Sequence, residues 1–255
     1  YHEYTHAVIG IERLQRVVLD RFGADSSPQG MNEGLADYFA ASPLNQDEVG
    51  AYGIGSIDPR GGRDLREPYR CPDDNHWEVH IQGRLIASAM WALRDRLGAE
   101  LTDRVMFNAL ELFNQTTTHQ EAGELLLAEA ELEGEAVLEA AREVLSAWGL
   151  QGCERIKPWA AWRARESRDG VPYKVSGSQG VGLPLLRASG IPAYHQRVVT
   201  LPEGAEGVSL SWALAAQGGL GGGGGGPSPL ALSWRLGEPV RFNYAPFERL
   251  DDGEV

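Results

Sequence analysis

His2-Glu3-Tyr4-Thr5-His6 sets two histidines four residues apart, with a glutamate beside the first. Residues four apart on a helix lie one turn along and about 40° round the axis, so both imidazoles can face one metal ion. The spacing predicts a helix carrying His2 and His6 as zinc ligands. Glu3 then lies beside the coordination position that a reactive zinc site leaves open, where a carboxylate can act as general base toward a water whose pKa the metal lowers. An ordinary exposed helix that happens to hold two histidines carries the same pattern, so a third ligand decides more.

Downstream, Gly30-Met31-Asn32-Glu33-Gly34-Leu35-Ala36-Asp37-Tyr38-Phe39 begins a second helical pattern, with Met31, Leu35 and Tyr38/Phe39 on one side. Glu33 and Asp37, four apart, share the other side. Glu33 offers a carboxylate ligand, and Asp37 a hydrogen-bond acceptor for the far nitrogen of a ligating histidine, the support that metal-bound imidazoles use. The alternative is a plain acidic face.

These segments resemble the zinc-site pair of thermolysin-like gluzincin peptidases, and more closely that of fungalysin-type metallopeptidases, whose interval between the second histidine and the glutamate is similar to the one from His6 to Glu33. Glu78-Val79-His80-Ile81-Gln82-Gly83-Arg84 resembles the segment that carries these families' transition-state histidine. The resemblance covers roughly residues 1–150. It implies one Zn2+ held by His2, His6 and Glu33, a base at Glu3, an orienting carboxylate at Asp37 and an oxyanion donor at His80. It also implies a protein or peptide substrate, an extracellular location, and an N-terminal lobe of the same polypeptide upstream of Tyr1. The zinc helix starts at the first residue, so its first N–H groups lack a preceding turn. Fraying of His2, with weak zinc binding by residues 1–255 alone, is therefore expected.

The first helix is expected to run to about Phe22, with Tyr4, Val8, Ile11, Leu14, Val18 and Phe22 as an apolar seam opposite the histidines. Gly23 ends that pattern, and Asp25-Ser26-Ser27-Pro28 reads as a loop. Residues 42–77, rich in Gly, Pro, Asp and Arg, read as a long ordered loop. Its Arg60, Arg63, Arg66 and Arg70 are candidates for a substrate carbonyl or simply solubilising charges. From Glu78 to Leu97 the apolar residues recur at helical spacing, with Gly98 as the stop and His80 near the positive N-terminus, where it suits a developing negative charge. Asp74 or Asn75 is expected either to hold the His80 ring or to cap this helix. His76 reads as a surface residue, and His119 and His195 have no supporting context.

Further helices are expected at about 102–115, 119–132 and 134–148. Glu121, Glu124, Glu129, Glu131, Glu133, Glu135, Glu139 and Glu143 mark a solvated face, which does not support a structural calcium site. Beyond Cys153 the character changes. Alternating apolar residues at 208–214, 230–236 and 240–244 read as half-buried strands, with the glycine-rich run 218–226 as a hairpin loop. The expected organisation is a helical zinc-peptidase lobe at 1–152, a connecting region at 153–197 and a β-sandwich-like accessory module at 198–255. The fold class is a mainly α metallopeptidase lobe followed by that β module, α+β overall.

Composition narrows the partners. With 42% hydrophobic residues in a chain of 255 there is enough apolar material for real cores. A net charge of -13 argues against nucleic acid, which needs a basic face. No uninterrupted apolar run is long enough for a membrane span. Two cysteines, Cys71 and Cys153, are too few for a thiolate zinc site, and either a disulfide or two free thiols fits them. Two functions remain: a zinc endopeptidase, or a non-catalytic binding or adhesion protein that retains the metal site. A gluzincin aminopeptidase ranks below both, because no motif for anchoring a free amino terminus is visible.

Overall fold

The computed structural model describes residues 1–20, 23–50, 62–72, 74–75, 78–153, 156–158, 196–198 and 236–238. The expected strands at 208–214, 230–236 and 240–244, the glycine-rich run, Arg60, His76 and His195 lie largely or wholly outside these residues.

The chain starts with helix α1 (His2–Ile9), followed by a short antiparallel hairpin of β1 (Val18–Asp20) and β2 (Gly23–Asp25). Helix α2 (Ser27–Ala41) leads through a 3-10 turn at Ser42–Leu44 to β3 (Glu48–Val49), which pairs antiparallel with β4 (Arg63–Asp64) in the register Val49↔Arg63. Four helices follow: α3 (Val79–Leu97), α4 (Ala99–Leu112), α5 (His119–Leu132) and α6 (Glu135–Ala147). Finally β5 (Ile156–Pro158) and β6 (Gln196–Val198) pair in parallel. No helix among the described residues is long and apolar enough to cross a membrane.

Helix α1 is shorter than its apolar pattern suggests. Gly10, at φ 71°, ends it after eight residues, and the chain turns away before Leu14. The expected seam is therefore split. Tyr4, Val8 and Ile11 are exposed, while Thr5 and Ile9 are the buried residues of the helix. In the expected loop before Glu33, Pro28 instead sits in the first turn of α2, where its missing N–H costs nothing. Asp25 Oδ1 accepts the N–H of Ser27 at 2.8 Å. The reading of 42–77 as one loop also changes, since β3 and β4 fall inside it.

The core is built on α2 and α3. Met31, Leu35 and Tyr38 from α2 meet Ile86, Met90 and Trp91 from α3, and α4–α6 close the other side with Met106, Leu126, Val144 and Leu145. Glycines permit the closest approach: a Cβ on Gly34 would lie 2.1 Å from the Gly83 carbonyl oxygen, and one on Gly83 would lie 2.6 Å from the Gly34 nitrogen. Tyr38 ties α2 to α4 by donating to Asp103 Oδ1 at 2.6 Å. A disulfide joins Cys71 to Cys153, closing the question that two lone cysteines leave open. It fastens the segment leading into α3 to the residues after α6, where the Cys71 N–H also donates to the Trp148 carbonyl.

Candidate metal centre

On α1, His2 and His6 project toward α2, where Glu33 faces them. His2 Nε2 and His6 Nε2 are 3.1 Å apart, and Glu33 Oε2 lies 3.3 Å from the first and 3.5 Å from the second. A tetrahedral zinc with bonds of 2.0–2.1 Å needs donor atoms separated by about 3.3 Å, which is the size of this triangle. Among the described residues this is the group of three acidic, thiol or imidazole donors close enough to hold one ion. Glu33 Oε2 is buried and makes no well-formed hydrogen bond, although imidazole nitrogens surround it. Two imidazole nitrogens and an orphaned carboxylate oxygen are donors that fit zinc in both type and spacing.

Both imidazoles are backed from behind. His2 Nδ1 lies 2.9 Å from Asp37 Oδ1, whose side chain is only 1% exposed. The contact favours the tautomer with its proton on Nδ1 and its Nε2 lone pair aimed at the triangle. His6 Nδ1 stands 2.5 Å from Asn32 Oδ1, and the Asn32 amide donates on its other side to the Leu14 carbonyl. Asn32 is a supporting residue that sequence reading missed, although it adjoins Glu33.

His80 stands at the start of α3 with its Nε2 3.4 Å from Glu33 Oε2, beside the ligand triangle. Its Nδ1 lies 2.6 Å from Glu78 Oε1. Glu78, and not Asp74 or Asn75, is also the N-cap: its carboxylate accepts the N–H groups of His80 at 3.2 Å and Ile81 at 2.9 Å. Asp74 Oδ2 instead accepts the Arg70 N–H at 2.9 Å, closing a local turn. Glutamate is an unfavoured cap residue, so propensity points to Asp74 or Asn75. Glu78 reaches because its longer side chain folds back over the first turn.

Of the described arginines in the 42–77 segment, Arg63 reaches the site, donating from Nε to Asp37 Oδ2 at 2.5 Å and from Nη2 to Asp37 Oδ1 at 2.6 Å. Arg66 pairs with Asp47 and Asp95, and Arg70 lies over Trp148. Glu3 is exposed on α1, adjacent to His2.

The ionisable groups of the cluster shift one another strongly. The close carboxylates of Asp37, first, and Glu33 raise His2 to about 9 against the opposing effect of burial. Burial pushes Glu33 and Asp37 upward, but His2, His80 and His6 around Glu33, and His2 with Arg63 around Asp37, more than offset it and hold the two carboxyls below their ordinary range. Burial likewise raises Glu78, yet the His80 ring and the N–H groups of α3 outweigh it and bring it down to about 2. Glu78 in turn raises His80.

The chain matches no protein-family model, no curated protein and no solved structure.

Proposed function

We propose that the protein is a zinc-dependent endopeptidase of gluzincin type, with His2, His6 and Glu33 as the ligands. The observation that supports this most directly is the triangle of 3.1, 3.3 and 3.5 Å formed by the three donor atoms, with His80 Nε2 3.4 Å from Glu33 Oε2. Zinc held there would supply Lewis-acid polarisation of the scissile carbonyl and acidify a water. Glu3 takes one proton from the attacking water as its oxygen bonds to the carbonyl carbon. It then passes that proton to the nitrogen as the C–N bond breaks. His80, biased toward its charged form by Glu78, donates from Nε2 to the developing oxyanion. Asp37 and Asn32 hold the two ligand rings.

The wider proposal is the architecture read from the sequence: a helical catalytic lobe at 1–152 and a β-rich accessory module at 198–255. The disulfide fits an oxidising, extracellular setting. The exposed stripe of Tyr1, Tyr4, Val8 and Ile11 offers an apolar face on which an upstream lobe would pack.

The test is zinc stoichiometry and casein cleavage for the parent and for Glu3→Gln. One zinc per chain in both, with cleavage lost by roughly 100-fold or more in the variant, is expected, since a general base contributes about that much. One zinc per chain with no Glu3-dependent cleavage removes the peptidase and leaves a zinc-containing binding protein.

A further inference from the structure

We propose that Arg63 is a positioning residue of the metal centre, acting through Asp37 on His2. The inference rests on the reading of His2, His6 and Glu33 as zinc ligands.

Asp37 alone is a poor orienting group. Its carboxylate is buried on α2, and a single contact to an imidazole leaves it free to turn about its own Cβ–Cγ bond. The guanidinium removes that freedom. Arg63 Nε meets Oδ2 at 2.5 Å and Nη2 meets Oδ1 at 2.6 Å, a two-point fork that fixes the carboxylate plane. Oδ1 is shared, receiving Arg63 on one side and facing His2 Nδ1 at 2.9 Å on the other. The fork therefore fixes Oδ1 in place against His2 Nδ1, a close ion-pair contact rather than a well-aligned hydrogen bond, and so limits where the His2 ring lies. It also supplies the positive partner that a carboxylate 1% exposed needs.

Arg63 is itself anchored. β4 pairs with β3 at Val49↔Arg63, and the next residue but one, Leu65, is buried and donates its N–H to the Asp47 carbonyl at 2.8 Å. The chain Arg63–Asp37–His2 thus carries the rigidity of the small hairpin into the ligand triangle. Lysine, with one compact charge, cannot hold both carboxylate oxygens in a plane.

Zinc affinity of the whole chain, measured by competition with a chromophoric chelator, tests this without reference to catalysis. Arg63→Met should weaken zinc binding by about 10–100-fold, the usual cost of losing an outer support of a ligand, and Arg63→Lys by a smaller factor. Arg66→Met, at an arginine away from the site, should keep the parental value. In an Asp37→Ala background, Arg63→Met should add nothing, because its effect passes through that carboxylate. Nitrogen NMR of His2 in the zinc-loaded protein should show a single form protonated on Nδ1 in the parent and a mixture in the folded Arg63 variants. Should Arg63→Met fail to melt cooperatively, Arg63→Lys decides. Parental affinity in the folded Arg63 variants, or a full further loss in the Asp37→Ala background, overturns the proposal. If the parent and Arg66→Met bind no zinc, it is the metal centre itself that falls.

Discussion

Gly34→Ala separates the two halves of the proposed site. In an exposed helix the change is favourable by about 1 kcal/mol. Here the new Cβ would lie 2.1 Å from the Gly83 carbonyl oxygen and 2.6 Å from Ile86 Cγ2, where side-chain carbons keep at least 3.0 Å from their neighbours. Backbone cannot rotate aside as a flexible side chain can, so α2 and α3 must part by about 0.9 Å, the difference between 3.0 and 2.1 Å. Overpacking of this kind costs about 3 kcal/mol at the upper end of its usual range, leaving a net loss of about 2 kcal/mol after the helix gain. The displacement falls selectively. His2, His6 and Glu33 belong to α1 and α2, whereas His80 rides on α3, so the ligand triangle stays whole while the 3.4 Å contact between His80 and Glu33 opens. Zinc affinity should change by less than about threefold. Cleavage should drop by about 100-fold, the cost of misplacing a reacting group by about 1 Å. Urea melts, zinc titration and casein kinetics on the same preparations read all three. A variant at least as stable as the parent, or one that loses zinc in step with cleavage, refutes the reasoning.

Further outcomes follow from protonation. His2 is held charged up to about 9 by Asp37 and Glu33, and zinc must displace that proton; each zinc bound near neutral pH should release about one proton, with apparent affinity rising up to tenfold per pH unit until about 9. Calorimetry in buffers of different ionisation enthalpy measures the proton, and a pH-independent affinity contradicts the assignment. In the metal-free protein the same shift has the opposite sense, because its stabilising contribution is complete below the ordinary value of 6.5 and is lost as pH rises through about 9. His119 behaves in reverse. Full burial holds it neutral down to about 3, so its contribution is present above 6.5 and is lost as pH falls from there toward 3, by at most about 1.4 kcal/mol per unit. His119→Gln should flatten the decline in Tm between pH 6 and pH 4, and an unchanged slope would place the acid sensitivity elsewhere.

What was legible in the sequence depended on range. The helices from α3 to α6 follow from a 3.6-residue period with Gly98 as a stop, and their observed bounds differ from the expected ones by a few residues. The histidine pair is legible for the same reason, since four residues of helix fix its geometry. Helix α1 was overextended because Tyr4, Val8 and Ile11 mimic a buried seam, and the period outweighed Gly10, which was the true stop. Glu78 was hidden by its poor rank as a cap. Arg63 was hidden because its partner lies 26 residues away and no local pattern gives the register of β3 on β4. His119 shows no sequence signal; only packing reveals that it is fully buried, with Nε2 3.3 Å from Gln82.

These contacts shift the organising role from α1 to α2. Helix α1 supplies two of the proposed ligands, but it is short and presents Tyr4 and Val8 to solvent, so it does not fix its own rings. Helix α2 supplies the third proposed ligand, Glu33, and the support for both histidines: Asp37 behind His2 and Asn32 behind His6. Each support is in turn fixed from a different part of the chain. Asp37 is forked by Arg63 on β4. Asn32 donates to Leu14, a fully buried residue held at φ 55°, whose N–H donates to the Asn114 carbonyl after α4. A left-handed conformation costs a branched side chain about 1–2 kcal/mol, and here it delivers a carbonyl to the amide that orients His6. The third direction comes from Gly34 on Gly83, which sets α2 against the helix bearing His80. A metal centre built this way is preorganised by the packing of α2, so substitutions on its supports should damage ligand geometry before they damage the fold.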